Sequence, residues 1–249
     1  MAGHSKWAQI KRKKAINDNK RGQHFTKLIR AITVAARAGG GDPGMNPRLR
    51  LAIDTAKAAS MPAENIDRAI KKGTGELEGV EYQEITYEGY GPGGIALMID
   101  TLTDNPTRTV NELRFVFSRN QGNMGTSGSV AWQFERQGRI YVDAARHDEE
   151  ATFEAALEAG AQDLRREDES FVITTELTGF AQVQDGLQRA GVAVESAELE
   201  LVPKTTVEVG GEDARNLIKL MDAIDELDDV QKVYSNADID EAVLAEDGA

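Results

Sequence analysis

The chain has 249 residues, 40% of them hydrophobic and 29% charged, a net charge of −13 and no cysteine. That length allows two or three domains, and the composition is that of a folded chain rather than a disordered one. Without cysteine, a disulfide framework, a thiolate metal site and a cysteine nucleophile are excluded.

The net charge conceals a division. Met1 to Lys72 carries 16 basic against 5 acidic side chains, a balance of +11, whereas Gly73 to Ala249 carries 13 against 37, a balance of −24. A segregated basic end points to a polyanionic partner. The N-terminus shows no apolar stretch of signal-peptide length, and no uncharged run approaches the roughly 18–20 residues of a membrane span. A cytoplasmic protein with no membrane partner is expected, and the lack of cysteine suits a reducing compartment.

In chain order, Asn19–Ala38 predicts a helix, with Phe25, Leu28, Ile29, Ile32 and Ala36 at helical spacing. Gly39-Gly40-Gly41 and Pro43 stop it. A second helix is expected from Pro47 with Asn46 as its cap, and a third from Pro62 to Gly73. Residues 73–79 read as a linker. Gln83–Glu88 and Ile95–Thr101 read as strands around a Gly-rich turn, and Pro106–Arg119 as a helix capped by Asn105. A Gly-rich loop (Gly122, Gly125, Gly128) leads to an expected strand at Ser129–Phe134.

From Arg139 the pattern is β-α-β-β-α-β, with strands at Arg139–Asp143, Asp163–Glu167, Phe171–Thr175 and Val194–Leu201. The helices are Glu149–Ala159 and Gly179–Ala190. This order is ferredoxin-like. A further strand (Thr205–Val209), helix (Ala214–Leu227) and strand (Val230–Ser235) are expected to complete the sheet begun at Gln83, with a frayed acidic tail from Asp238. The fold class is therefore α+β. It comprises an N-terminal three-helix bundle (1–79) and two ferredoxin-like α/β domains, of which the third (137–202) is inserted into the second (80–136 and 203–240).

On the first helix Lys20, Lys27, Arg30 and Arg37 fall opposite the apolar stripe, at about 100° per residue, and are expected to face solvent. Upstream lie Lys6, Trp7, Lys11, Arg12, Lys13 and Lys14, with Arg21 beside Lys20. Closely spaced cations can neutralise successive phosphates and release counterions. Trp7 and His24 are candidates to stack on an unpaired base. The same stripe also fits a merely solvated helix face, with Trp7 as a packing anchor. Phosphate contacts carry no sequence information and do not separate DNA from RNA.

Other motifs point away from catalysis. Gly89-x-Gly91-x-x-Gly94 matches a dinucleotide fingerprint in letters, but a strand follows it where a phosphate-binding helix N-terminus is needed. His4, His24 and His147 lack metal-like spacing. Asp104, Asn105, Arg108 and Asn111 read as a helix-start cluster, and 123–129 as either a contact loop or a turn. No catalytic residue, metal or cofactor is expected.

Several of these segments resemble the YebC family: Met1-Ala-Gly-His-Ser-Lys-Trp7 and the basic run after it, Gly73-Thr-Gly75, Tyr87-Glu-Gly-Tyr-Gly-Pro-Gly-Gly94, Thr103-Asp-Asn105 with Arg108-Thr-Val110, and Gly128-Ser-Val-Ala-Trp132. That family is described as probable transcriptional regulators and includes the mitochondrial translational activator of cytochrome c oxidase. The resemblance implies a helical first domain, two α/β domains, no catalytic residues and a non-enzymatic DNA-binding role. The alternative it implies is a ribosome-associated translation factor that binds ribosomal RNA and relieves stalling. In the DNA-binding case the acidic α/β domains would face a protein partner, or restrain non-specific binding by repelling the polyanion. The run Lys11-Arg-Lys-Lys14 lacks the histidines often interspersed there in the family.

Overall fold

The computed structural model describes residues 21–167, 169–240 and 243–244. The chain forms two compact units: Met1–Phe134 with Pro203–Ala249, and Glu135–Val202.

The first unit begins with helices α1 (Arg21–Gly39), α2 (Pro47–Ala58) and α3 (Ala63–Thr74). Leu28, Ile32, Ala35 and Ala36 of α1 pack with Leu49, Ile53 and Ala56 of α2 and Ile66 and Ala69 of α3. Phe25 and Ile29 are only partly covered. Asn46 caps α2 as expected, accepting from the Leu49 amide at 3.1 Å. Its Nδ2 also donates to the Ala35 and Gly40 carbonyls at 2.8 and 2.9 Å, so one amide closes α1 and opens α2. α3 lies so close to α1 that a Cβ on Gly73 would collide with the Thr33 carbonyl and the Ala36 methyl.

The α/β part of this unit is a sheet of order β3-β1-β2-β9. Its strands are β1 (Gln83–Tyr90), β2 (Ala96–Thr103), β3 (Asn123–Met124) and β9 (Val230–Ser235). β1 and β2 form an antiparallel hairpin from Gln83 opposite Thr103 to Tyr90 opposite Ala96. Helices α4 (Pro106–Arg119) and α7 (Gly211–Asp225) bury Leu113, Phe117, Leu217, Leu220, Met221 and Ile224 against Leu97 and Ile99. The glycine fingerprint is the hairpin turn, with Gly93 and Gly94 at positive φ and strand β2 immediately after.

The second unit carries β4 (Phe134–Asp143), α5 (Glu149–Ala159), β5 (Asp163–Glu167), β6 (Ser170–Thr175), α6 (Phe180–Arg189) and β7 (Val194–Pro203). The sheet order β5-β6-β4-β7 is the ferredoxin-like arrangement. α5 and α6 meet where Ala159 faces Gly186, a site with no room for a Cβ.

Three sequence expectations are corrected. Of the span 129–134 only Phe134, the first residue of β4, is in a strand: Ala131–Gln133 forms a 3-10 turn, because the Val130 and Ala131 amides are bound to a side chain, Glu88, instead of a ladder. The strand after Pro203 does not complete the first sheet. Val207–Val209 (β8) pairs in parallel with Ala237–Ile239 (β10), and of the strands after Pro203 it is β9 that joins the first sheet, on β2. The tail from Asp238 is not frayed at its start, since Ala237 and Ile239 alternate inward into the core and hold Asp238 in β10. No described helix is long and apolar enough to cross a membrane.

Candidate nucleic-acid interface

Of the eleven residues expected to contact nucleic acid, Lys6, Trp7, Lys11, Arg12, Lys13, Lys14, Lys20 and the side chain of Arg21 lie outside the described residues. Lys27, Arg30 and Arg37 lie on α1, opposite the apolar stripe as the spacing predicts. Their surroundings differ from the expectation.

Lys27 Nζ donates to the Asp225 carbonyl at 2.7 Å and meets its carboxylate at 3.1 Å. Asp225 is the last residue of α7, so the ammonium caps the negative end of that helix. Arg30 goes further in. Its Nη1 donates to the Asp228 carbonyl at 2.6 Å, the Asp229 carboxylate at 2.7 Å and the Leu102 carbonyl at 3.2 Å, and its guanidinium lies 5.4 Å from the centre of the Tyr82 ring. Only 16% of Lys27 and 12% of Arg30 remain exposed. Arg37 pairs with Glu81 at 3.0 Å and stays accessible. The solvent-facing stripe is thus corrected for Lys27 and Arg30. A helical projection places them away from the bundle core correctly, but the α/β sheet and the end of α7 pack on that side.

Asp229 is the hub of this junction and is 1% exposed. Besides Arg30 it accepts from Arg108 Nη2, 2.9 and 2.8 Å from its two oxygens. The Thr109 and Thr103 hydroxyls lie 2.7 and 3.1 Å from Oδ2. Its carbonyl takes the Leu102 amide at 2.8 Å. Burial opposes ionisation of this carboxyl, but hydrogen bonds from Arg108, Thr109, Arg30 and Thr103 outweigh it and hold the carboxyl below its ordinary range. The same contacts, Asp229 first and Asp104 second, push the Arg108 guanidinium still higher. Asn105 caps α4 by accepting from the Arg108 amide at 3.1 Å, so the helix-start reading of that cluster stands.

A second buried carboxylate lies on the other face of the sheet. Glu88 of β1 accepts from the amides of Gly128 (2.6 Å), Val130 (2.7 Å) and Ala131 (2.9 Å), and meets the Ser129 hydroxyl at 3.5 Å. Burial pushes its carboxyl up. The four donors together push it further down, leaving it below the usual glutamate range. The Gly-rich loop is therefore pinned rather than free, with Asn123 and Met124 paired to Tyr90 and Gly89.

Sequence reasoning missed Asp229 and Glu88 as centres. The signal lay in the motifs themselves: Thr103, Arg108 and Thr109 converge on Asp229, and Glu88 binds the Gly128–Trp132 segment. Asp229, one of many acids in an acidic region, had no local pattern to mark it. Of the histidines, His147 accepts from the Ala193 amide at 3.1 Å. Among the described residues no group of three or more His, Asp or Glu is arranged to hold a metal ion.

Comparison with known proteins accounts for nearly the whole chain. A model of the TACO1/YebC protein N-terminal domain matches residues 5–76, and one of the TACO1/YebC second and third domain matches 82–237. The chain is 60% identical over 246 residues to a "Probable transcriptional regulatory protein" of Gemmatimonas aurantiaca, covering 99% of this chain and 100% of the relative. It is 56% identical over 245 residues to a protein of the same name from Chlorobium luteolum, covering 98% of each. The crystal structure of a conserved hypothetical protein, Aq1575, from Aquifex aeolicus matches with TM-score 0.83 at 48% identity, over 90% of this chain and 93% of that one. With both family models matching in register and relatives aligned end to end, the chain belongs to the TACO1/YebC family.

Proposed function

We propose that this protein is a non-enzymatic transcriptional regulator of the cytoplasm that grips duplex DNA through its basic N-terminal segment. The relatives' shared name supports a regulatory role. The observation that carries the binding role is the charge division, refined by the ion pairs. Of the 16 basic residues up to Lys72, Lys27 and Arg30 are spent on the α7 end and Asp229, and Arg37, Arg48, Arg68 and Lys71 each have a carboxylate partner. Residues 1–20 hold Lys6, Lys11, Arg12, Lys13, Lys14 and Lys20 against a single acid, Asp18. In this reading those cations and Arg21 hold phosphates, with Trp7 against the sugar or an unstacked base. Residues 1–79 are the binding domain. Residues 80–136 with 203–240, and the insertion 137–202, present an acidic surface to a protein partner. Lys27 and Arg30 act at one remove, by fixing α1 on the sheet.

The experiment is a salt titration of binding to a duplex, with the wild type and a Lys11→Ala/Arg12→Ala/Lys13→Ala/Lys14→Ala variant. Each lost phosphate contact reduces the slope of log K against log salt by about 0.9, so the variant should lose up to about 3.6 of slope together with most of its affinity at low salt. An unchanged slope and affinity would overturn the reading. Co-sedimentation with ribosomes at low salt, combined with no duplex binding, would move the same cations to ribosomal RNA.

A further inference from the structure

A second cationic surface lies within the acidic part of the chain. Helix α4 buries Thr109, Leu113 and Phe117 and turns the opposite side outward. At about 100° per residue, Asn111, Arg114, Phe115, Ser118 and Arg119 occupy one arc of about 140°. All five are exposed, and no carboxylate lies among them; Glu112 sits at the margin, half-buried. Phe115 is 59% exposed in the middle of the arc, and the Arg119 guanidinium lies 5.5 Å from its ring centre.

Two features set this arc apart from an ordinary solvated face. First, the chain beyond Lys72 holds 37 acidic side chains against 13 basic. Even so, Arg114 and Arg119 have no carboxylate partner among the described residues, whereas Arg108 at the start of the same helix has two. Second, the apolar ring left in water is flanked by these unmatched cations. Arginines that neutralise a backbone, with an aromatic ring between them for a base to stack on, are the elements of single-strand recognition.

We propose that the Arg114–Phe115–Arg119 face of α4 is a contact for single-stranded DNA, with the Phe115 ring stacked on an unpaired base and the two guanidinium groups on the adjoining phosphates. A duplex offers phosphates but no free base face, so the exposed ring favours an unpaired strand. This inference rests on the proposed DNA-binding role and adds to it a second site with a different preference.

The test uses the full chain with Phe115→Leu, which keeps an apolar side chain but cannot stack, and with Arg114→Gln/Arg119→Gln. The probes are a thymidine homopolymer of about 20 nucleotides, longer than one single-strand site, the corresponding duplex and a uridine homopolymer of equal length. Circular dichroism and thermal midpoint confirm folding, which these exposed positions should leave unchanged. Phe115→Leu should weaken single-strand binding by about tenfold and leave duplex affinity unchanged. The double arginine variant should lower the single-strand salt slope by about 1.4. Wild-type single-strand binding unaltered in both variants would overturn the α4 site while leaving the N-terminal role intact. A wild type that binds none of the probes would overturn both proposals. Loss confined to the uridine polymer would replace DNA by RNA here, and self-association abolished by the arginine variant would replace it by a second copy of the chain.

Discussion

On α1, Lys27 and Arg30 reach across to the end of α7, where two backbone carbonyls and two carboxylates receive them within 3.1 Å. On α4, Arg114 and Arg119 project from a helix of similar amphipathic pattern and meet no acid among the described residues. Both pairs look alike in sequence: cations opposite an apolar stripe. The difference lies in what packs against each helix. α1 has neighbours on two sides, the other helices of its bundle and the sheet, so its outer cations become internal. α4 has one buried side, so its outer cations stay outside. A basic helix face is free to bind a polyanion only if the fold leaves that face uncovered.

Breaking the α1 junction should have the largest effect. Asp229→Ala removes the common acceptor of Arg30 and Arg108 and leaves the largely buried Arg30 without a carboxylate, while Arg108 keeps Asp104; the loss should be about 3–5 kcal/mol, read as a drop in the urea midpoint. Arg30→Ala leaves Asp229 its Arg108 and threonine partners and should cost less, about 1–3 kcal/mol. Arg114→Ala, its counterpart on α4, should stay within about 0.5 kcal/mol. Equal losses at positions 30 and 114 would erase the distinction drawn between the two helices. Glu88→Gln tests the other buried carboxylate: a neutral amide that must turn a donor toward the backbone amides of Gly128, Val130 and Ala131 should cost about 1–3 kcal/mol. The exposed Arg48–Glu84 pair, two contacts at 2.8 and 2.7 Å between α2 and β1, belongs at the small end. Arg48→Ala should cost less than about 1 kcal/mol, and less again at high salt.

The pH dependence sharpens the same contrast. The Asp229 and Glu88 carboxyls are both held lower in the folded chain than in an unfolded one. The stability they contribute is therefore complete above the unfolded carboxyl range near about 4. It is lost as the pH falls through their lower folded values. Unfolding measured from pH 7 down to 2 should show a steep acid-side loss in the wild type and a shallower one in Asp229→Asn. Matching profiles for the two proteins would show that Asp229 is not linked to folding in this way.

Local pattern accounts for much of the architecture. Asn46 and Asn105 were recognisable as caps because a short polar side chain followed by proline leaves few other roles. The helix at Glu149–Ala159 coincides with its expected span, and the β-α-β-β-α-β order of the second unit is carried by alternating periods alone. Where local pattern misled, a distant group had taken over the backbone or the charge. Residues 129–133 read as part of a strand, but Glu88, some forty positions away, holds the Val130 and Ala131 amides. The run at Asp238 is acidic like a frayed tail, but Ala237 and Ile239 are buried on either side of it. Lys27 and Arg30 sit where a helical projection puts them, but that projection carries no information about the sheet beside them.

What the amino-acid order determined alone was the succession of helices and strands, their caps, the division of charge and the motifs that mark the family. All of these depend on interactions within a few residues of chain or on simple counting. Which cations are consumed and which remain free was decided only by the tertiary structure. A charge finds its partner through space, here about two hundred positions along the chain from Arg30 to Asp229, and only the packed sheet and helices bring the two within hydrogen-bonding distance.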